Sequence, residues 1–239
     1  MTQGDGGTRA DEGLVRLGLG LVAAVLIVLA VRLPVWEGRL DVLQYPGRQL
    51  VLTAYADRLT GDVDEITILN HYVGLKIFDM ADLGETVLWL PGIAFALACV
   101  AAALLVPRRA PGGPKPPRSW IGTLARLGLW GFPLGILADI QFRLYQLGHS
   151  MNPGAAFRQA PFTPPVVGAA QVSSNVHTSS WPGGAVMFLV TAAFLMTFGV
   201  SLYRFAKQML GAGQVAQVGG IDRAGEGPGV TFERVDAIG

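Results

Sequence analysis

Four long apolar runs restrict what this chain can fold into. A helix needs about 20 apolar residues to cross a ~30 Å hydrocarbon core, and each run with its flanks is long enough. Charged residues make up only 15% of the chain, whereas a typical soluble domain has roughly 25%. The sequence therefore predicts an all-α integral membrane protein with four transmembrane helices, at 14–32, 86–106, 119–144 and 184–206.

The first run has a second interpretation, as the apolar part of a cleaved signal peptide. The residues that follow it, VRLPVW at 31–36, lack the small-residue pattern of a cleavage site. We therefore interpret 14–32 as a retained first span.

A basic connection sets the predicted orientation. Residues 107–118, PRRAPGGPKPPR, carry four basic side chains and no acidic one, and short loops of this kind stay in the cytoplasm. Four spans then place both termini in the cytoplasm, as the tails 1–13 and 207–239, whose composition predicts disorder. The two remaining segments, 33–85 and 145–183, are predicted to lie outside the membrane and to form a small cap.

The first outer segment, 33–85, is predicted to be a folded part of this cap. Asp62 followed by Glu65 is the pattern of a helix start, and it places His71 about two turns into a short helix. Residues 50–55, LVLTAY, have side chains that favour strands. They could pair locally or lie along the membrane surface.

The second outer segment, 145–183, is predicted to be an extended strap. Its five prolines prevent long helices, so it must run as a turn-rich connection. A long loop without secondary structure is usually functional or disordered. Packing is favoured over disorder by its larger apolar side chains, which are Phe157, Phe162, Val166, Val167 and Trp181.

All three histidines of the chain lie on the predicted outer side. They are His71, His149 and His177, and the same segments hold Met80 and Met151. Imidazole and thioether groups are ligands that copper favours, so these five residues form a candidate copper site. The histidines do not have the close spacing of a metal motif. The alternative is that they are exposed or hydrogen-bonded within a folded cap.

Two charged residues, Asp139 and Arg143, lie inside the third apolar run. Their spacing of four puts them on one helix face, where they can form an ion pair. Asp139 lies ~28 Å along the helix from Trp120, which places it at the outer boundary of a bilayer. One interpretation is a structural pair at this boundary, and the other is a proton or ion path that uses both residues.

Several classes of function lack their sequence signatures. The net charge of +1 gives no broad electrostatic footprint for nucleic acid. The sequence has no nucleophile elbow, phosphate-binding glycine loop or His-Glu-x-x-His motif, so no class of enzyme is indicated. The single cysteine, Cys99, lies in an apolar run, and no motif for covalent haem attachment is present.

Two segments resemble a known group of proteins. They are ITILNHYVGLKIFDM at 66–80 and GHSMNPGAAFRQAPFTPPVVG at 148–168. Both are similar to loops of a family of polytopic bacterial membrane proteins that are encoded with the maturation and electron-supply genes of nitrous oxide reductase. The resemblance implies a place in the bacterial cytoplasmic membrane and His71 and His149 as site residues. His177 lies outside the matching segments.

The resemblance also implies a function. It implies an accessory protein that supports assembly of, or electron delivery to, an extracytoplasmic copper-type respiratory enzyme such as nitrous oxide reductase. The partners would be the lipid bilayer and other membrane or extracytoplasmic redox proteins. The residues themselves leave two alternatives open. One is a transporter that moves protons, ions or small solutes through Asp139 and the outer histidines, and the other is a structural subunit of a larger membrane complex.

Overall fold

The computed structural model describes residues 5–43, 45–73, 85–106, 119–150, 161–173 and 176–224. These residues contain five α-helices, α1 (Asp5–Ala30), α2 (Val63–Val73), α3 (Glu85–Leu105), α4 (Ser119–His149) and α5 (Gly184–Ala224). They also contain five β-strands, β1 (Trp36–Val42), β2 (Gln49–Ala54), β3 (Leu59–Gly61), β4 (Gly168–Ser173) and β5 (Val176–Pro182). Contacts divide the chain into one unit of 1–197 and a second of 198–239, which holds the end of α5.

Among the described residues, four helices are long and apolar enough to cross a membrane. The candidate spans are Asp11–Ala30, Val87–Leu105, Trp120–His149 and Gly184–Leu210. Large apolar side chains are exposed along them, including Leu21, Leu90 and Leu127, and an exposed apolar surface of this kind suits contact with lipid. The prediction of four long apolar helices is therefore confirmed.

Two helices extend further than predicted. Helix α1 begins at Asp5, inside the tail 1–13, and α5 continues to Ala224, inside the tail 207–239. Extending an existing helix adds one hydrogen bond for each residue fixed, whereas starting a new helix is unfavourable. The polar flanks therefore continue helices that the apolar runs have already formed.

Small residues let the helices of the bundle approach one another; we use "bundle" for α1, α3, α4 and the part of α5 up to residue 197. A Cβ atom on Gly20 of α1 would lie 2.6 Å from Leu104 Cδ1 of α3. A Cβ atom on Gly128 of α4 would lie 2.9 Å from Cys99 Sγ of α3. At both positions a larger residue would force the neighbouring side chain to move, so glycine allows this close packing.

The prediction of an all-α protein is wrong, because the two outer segments form an antiparallel β-sheet. The strand order is β3-β2-β1-β5-β4. Strands β1 to β3 come from the segment 33–85 and strands β4 and β5 from the segment 145–183. Strand β1 pairs with β5 from Trp36 opposite Pro182 to Val42 opposite Val176. The predicted strap therefore contributes two strands to a sheet that joins both outer segments.

One face of the sheet packs into a hydrophobic core with α2 and the end of α4. The buried residues of this core are Trp36, Val42, Leu50, Leu52, Ile66 and Leu144. Helix α4 has 31 residues and is ~46 Å long, which exceeds a ~30 Å hydrocarbon core. Its final turns can therefore leave the membrane and pack in the cap. We use "cap" for the sheet, α2 and residues 161–167.

The cap is attached to the bundle where α1 ends and α5 begins. Gly183 N donates to Val35 O at 2.8 Å, and Ala185 N donates to Pro34 O at 2.9 Å. A Cβ atom on Gly183 would collide with the carbonyl oxygen of Pro34. Strands β1 and β5 therefore start from a tight backbone contact between two helix ends.

Residues 161–167 connect α4 to the sheet through polar contacts. Gln141 Nε2 on α4 donates to Pro164 O at 3.1 Å, and Val166 N donates to Gln141 Oε1 at 2.8 Å. Trp36 Nε1 on β1 donates to Val166 O at 3.0 Å. Ser180 Oγ on β5 donates to the neighbouring Pro165 O at 2.6 Å. This proline-rich stretch is therefore held between the helix and the sheet.

Candidate functional site

The three histidines lie on three different elements. His71 is in the last turn of α2, His149 is the last residue of α4, and His177 lies on β5. All three side chains are exposed. Met80 and Met151 lie outside the described residues. Within the part of the chain that the structure describes, no group of three or more His, Cys, Asp or Glu residues could hold a metal ion. The five-residue copper site therefore stays a prediction.

His149 contacts the helix that carries it. Its Nδ1 lies 2.9 Å from the carbonyl oxygen of Tyr145. The two rings are stacked, with 4.0 Å between their centroids. These contacts fix the orientation of the imidazole at the end of α4.

Asp139 and Arg143 form the ion pair that their spacing allows. Arg143 Nε donates to Asp139 Oδ2 at 2.7 Å, and the side chains are 22% and 42% exposed for Arg143 and Asp139 respectively. The pair lies next to Leu144, which is buried in the core of the cap. The two residues therefore lie where the bundle meets the cap.

Asp62 connects the start of α2 to the sheet. The helix begins at Val63, directly after the residue predicted to start it. The Asp62 carboxylate accepts a hydrogen bond from Val51 N at 2.9 Å and another from Arg48. Chiefly because of the backbone hydrogen bond from Val51, the pKa of Asp62 is lowered. The hydrogen bond to Asp62 and the negative charge of Asp62 in turn raise the pKa of Arg48.

A single glycine allows this corner to form. Gly61 ends β3 with a φ of +102°, and a Cβ atom on it would collide with Val51 O. Residues other than glycine rarely adopt that backbone angle. Asp62 N can then donate to the same Val51 O at 2.8 Å. Strand β2, strand β3 and helix α2 therefore meet through one residue pair.

The other face of the sheet, which we call the outer face, is mostly polar. Strand residues alternate between faces, and the buried positions identify the inner face. The outer face carries Glu37, Arg39 and Asp41 of β1, Gln49, Val51 and Thr53 of β2, Gln171 of β4, and His177, Ser179 and Trp181 of β5. It combines acidic, basic, amide, imidazole and indole groups on one surface.

The strand register places specific side chains of the outer face side by side. Asp41 lies opposite His177 across the β1–β5 pair, and His177 lies opposite Gln171 across the β5–β4 pair. Directly opposite residues have Cβ atoms about 4.5–5.5 Å apart. Arg39 lies over the ring of Trp181, with 5.5 Å between the guanidinium carbon and the ring centroid. Trp181 is nevertheless 46% exposed.

Part of this face was readable in the sequence. Residues 36–42, WEGRLDV, alternate apolar or small residues with charged ones, which is the period of a strand with one buried face. The position of His177 next to Asp41 had no such signal, because the register between distant strands decides it.

No protein-family model matches the chain, and a search of curated proteins finds no match. The resemblance of the segments 66–80 and 148–168 to proteins of nitrous oxide reductase gene clusters therefore stays a prediction.

Proposed function

We propose that this protein is a membrane-anchored accessory factor whose cap docks an extracytoplasmic respiratory enzyme. The partner that the loop resemblance implies is a copper enzyme such as nitrous oxide reductase, and the role is support of its assembly or electron supply. The observation that carries the proposal is the sheet. It joins both outer segments, and it has one buried face and one open polar face.

The composition of the outer face supports protein docking. Arginine and tryptophan are enriched among the residues that contribute most to protein interfaces, and here Arg39 and Trp181 lie in contact. Glu37 and Asp41 flank Arg39 on the same strand face. Alternating charges at fixed spacing favour a partner with the complementary pattern and disfavour others.

The attachment of the cap supports the same proposal. Strands β1 and β5 are held at the helix ends by the hydrogen bonds around Gly183, and Gln141 holds residues 161–167. Because the surface is ordered before binding, little binding energy is needed to order it. An accessory factor of this kind presents a fixed surface to its partner.

The test compares two arginines that make the same type of contact. Arg39 lies over Trp181 on the outer face, and Arg58 lies over Tyr55 with 4.2 Å to the ring centroid. Arg58 belongs to the turn between β2 and β3, away from the row of Asp41 and His177. Arg39→Glu reverses a charge on the proposed docking surface, whereas Arg58→Glu reverses one elsewhere on the cap.

The measurement is made in a bacterium that produces both this protein and nitrous oxide reductase. We expect deletion of the protein to lower the copper content and activity of the purified reductase. With Arg39→Glu, the copper content and activity of the reductase should fall toward those of the deletion strain. With Arg58→Glu, they should match those of the wild type. Both variants are compared at equal amounts of the protein in the membrane. A reductase with full copper and activity in the deletion strain would show the proposed function to be wrong.

A further inference from the structure

Arg16 of α1 binds the end of α3. Its Nη2 donates to Val106 O at 2.7 Å and also to Ala103 O. The last carbonyl groups of a helix lack partners within the helix and carry partial negative charge. The guanidinium group is therefore held at the end of the bundle where α3 ends and α4 begins.

Arg126 of α4 reaches the same end of the bundle. It lies close enough to Arg16 for the two positive charges to repel each other. A Cβ atom on Gly122, one turn before Arg126, would lie 3.4 Å from Val106 Cγ1, so α4 passes close to the carbonyl group that Arg16 binds. Helices α1 and α4 thus place one arginine each beside the end of α3.

One polar group at this end of the bundle has no partner within the described part of the chain. The Nε atom of Arg126 is buried and has no hydrogen-bond partner among the described residues. A buried donor without an acceptor is destabilising, and more so when the group is charged. An anion would offset two positive charges at the same helix end and would accept from the Nε of Arg126.

We propose that Arg16 and Arg126 together bind a phosphate group between α1, α4 and the end of α3. Guanidinium groups match phosphate oxygens in geometry and in charge. The phosphate could belong to the headgroup of an anionic phospholipid or be free in solution. Arg126 lies ~9 Å along α4 from Trp120, and Trp120 is 61% exposed. An exposed tryptophan at a helix end is typical of the membrane–water interface, where lipid phosphates lie.

The rival interpretation is that Arg126 extends to water without a ligand. An arginine near a helix end can reach the interface with its charged group. In that case neutral and anionic lipids would change the unfolding temperature equally, and replacing Arg126 would not change lipid binding.

The experiment uses the full chain, purified in a neutral detergent. Thermal unfolding and native mass spectrometry are measured with phosphatidylglycerol, phosphatidylcholine and inorganic phosphate as separate additions. The variants are Arg126→Gln, Arg16→Gln and the charge-preserving Arg126→Lys. The control is Arg32→Gln, which removes an arginine just after the opposite end of α1.

We expect phosphatidylglycerol to bind and to raise the unfolding temperature of the wild type, and phosphatidylcholine to have no such effect. Arg126→Gln should bind phosphatidylglycerol about tenfold more weakly, because one charge-assisted hydrogen bond is worth roughly that factor. Arg32→Gln should bind as the wild type does. An equal response to inorganic phosphate would identify the free anion as the ligand of the same site.

Two results would overturn the proposal. One is equal binding of phosphatidylglycerol by the wild type, Arg126→Gln and Arg16→Gln. The other is a wild type that binds neither phosphatidylglycerol nor inorganic phosphate, which needs no variant and so holds even if the glutamine variants fail to fold. Neither result depends on nitrous oxide reductase, so this test is separate from the test of docking by the cap.

Discussion

The bundle buries small side chains between helices that form their own backbone hydrogen bonds, whereas the cap joins backbone segments that are far apart in sequence. Ala23, Ala96 and Ala192 are almost completely buried in the bundle. In the cap, the strand that follows α1 pairs with the strand that precedes α5. The bundle is therefore built from local structure, and the cap exists only after the segments that carry β1 and β5 have met.

We expect the cap to depend on the bundle more than the bundle depends on the cap. Strands β1 and β5 start from the contact between the ends of α1 and α5, and Leu144 of α4 completes the core of the cap. Changes at these junctions should unfold the cap while the apolar helices stay inserted. The following predictions test this asymmetry, from the largest effect to the smallest.

Replacing Gly183 by alanine should have the largest effect. A Cβ atom there would collide with Pro34 O, so β1 and β5 could not keep their positions at the helix ends. We expect the cap to become sensitive to protease while the protein remains in the membrane. Limited proteolysis of membrane vesicles opened to expose the cap measures this.

The matched control is the next residue, Gly184. A Cβ atom on Gly184 would lie 3.4 Å from Leu33 Cδ1, which is an ordinary contact. Gly184→Ala should therefore leave the cap resistant. If both variants are equally resistant, the cap does not depend on this junction.

Leu144→Ala should have the second largest effect. Leu144 is 5% exposed, and removing a buried leucine side chain costs about 2–5 kcal/mol. Hydrogen exchange of the β1 and β2 amides should become faster, with little change in the middle of α3. Leu127→Ala, at a 61% exposed position of the same helix, serves as the control. Faster exchange throughout α3 would contradict the asymmetry.

The hydrogen bonds of Asp62 predict a pH dependence confined to the cap. The pKa of Asp62 is lowered in the folded protein, chiefly by the hydrogen bond from Val51 N. The ionised carboxylate therefore stabilises the cap above the unfolded value of about 3.9, and this contribution is lost as the pH falls through the folded pKa. The protection factors of the β2 and α2 amides, which correct for the pH dependence of intrinsic exchange, should fall below pH 4.

Asp62→Asn should be less stable than the wild type at pH 6 and should lose this acid dependence. The control is Asp57→Asn, because Asp57 is exposed and its carboxylate bonds Arg58. It should keep the acid dependence of the wild type. An identical pH profile for Asp62→Asn and the wild type would show that this corner does not stabilise the cap.

The smallest effect on stability is expected at the exposed histidines. If the outer histidines bind copper, His71→Ala and His149→Ala should each abolish binding, because a site that lacks one ligand is already incomplete. Thermal unfolding should hardly change. Copper stoichiometry of the purified protein is the measurement, and a wild type that binds no copper after loading would reject the copper site.

The sequence alone determined the helices of the bundle, because their signals are local. The length of each apolar run sets the length of a span, and Asp62 followed by Glu65 predicts a helix start where α2 begins, at Val63. The pairing of Asp139 with Arg143 was also readable, since it depends on a spacing of four on one helix.

Only the tertiary structure decided the cap and its outer face. Strand β5, VHTSSWP, is mostly polar, and its buried residue is Ser180. It therefore lacks the alternation of apolar and polar residues that predicts a strand with one buried face. The register that places His177 opposite Asp41 depends on the contact between the ends of α1 and α5. Likewise, Asp62 binds Val51 and Arg16 binds the end of α3 because folding brings them together. Residues far apart in a chain leave no periodic trace of one another, so sequence patterns determine elements and the packed structure determines their partners.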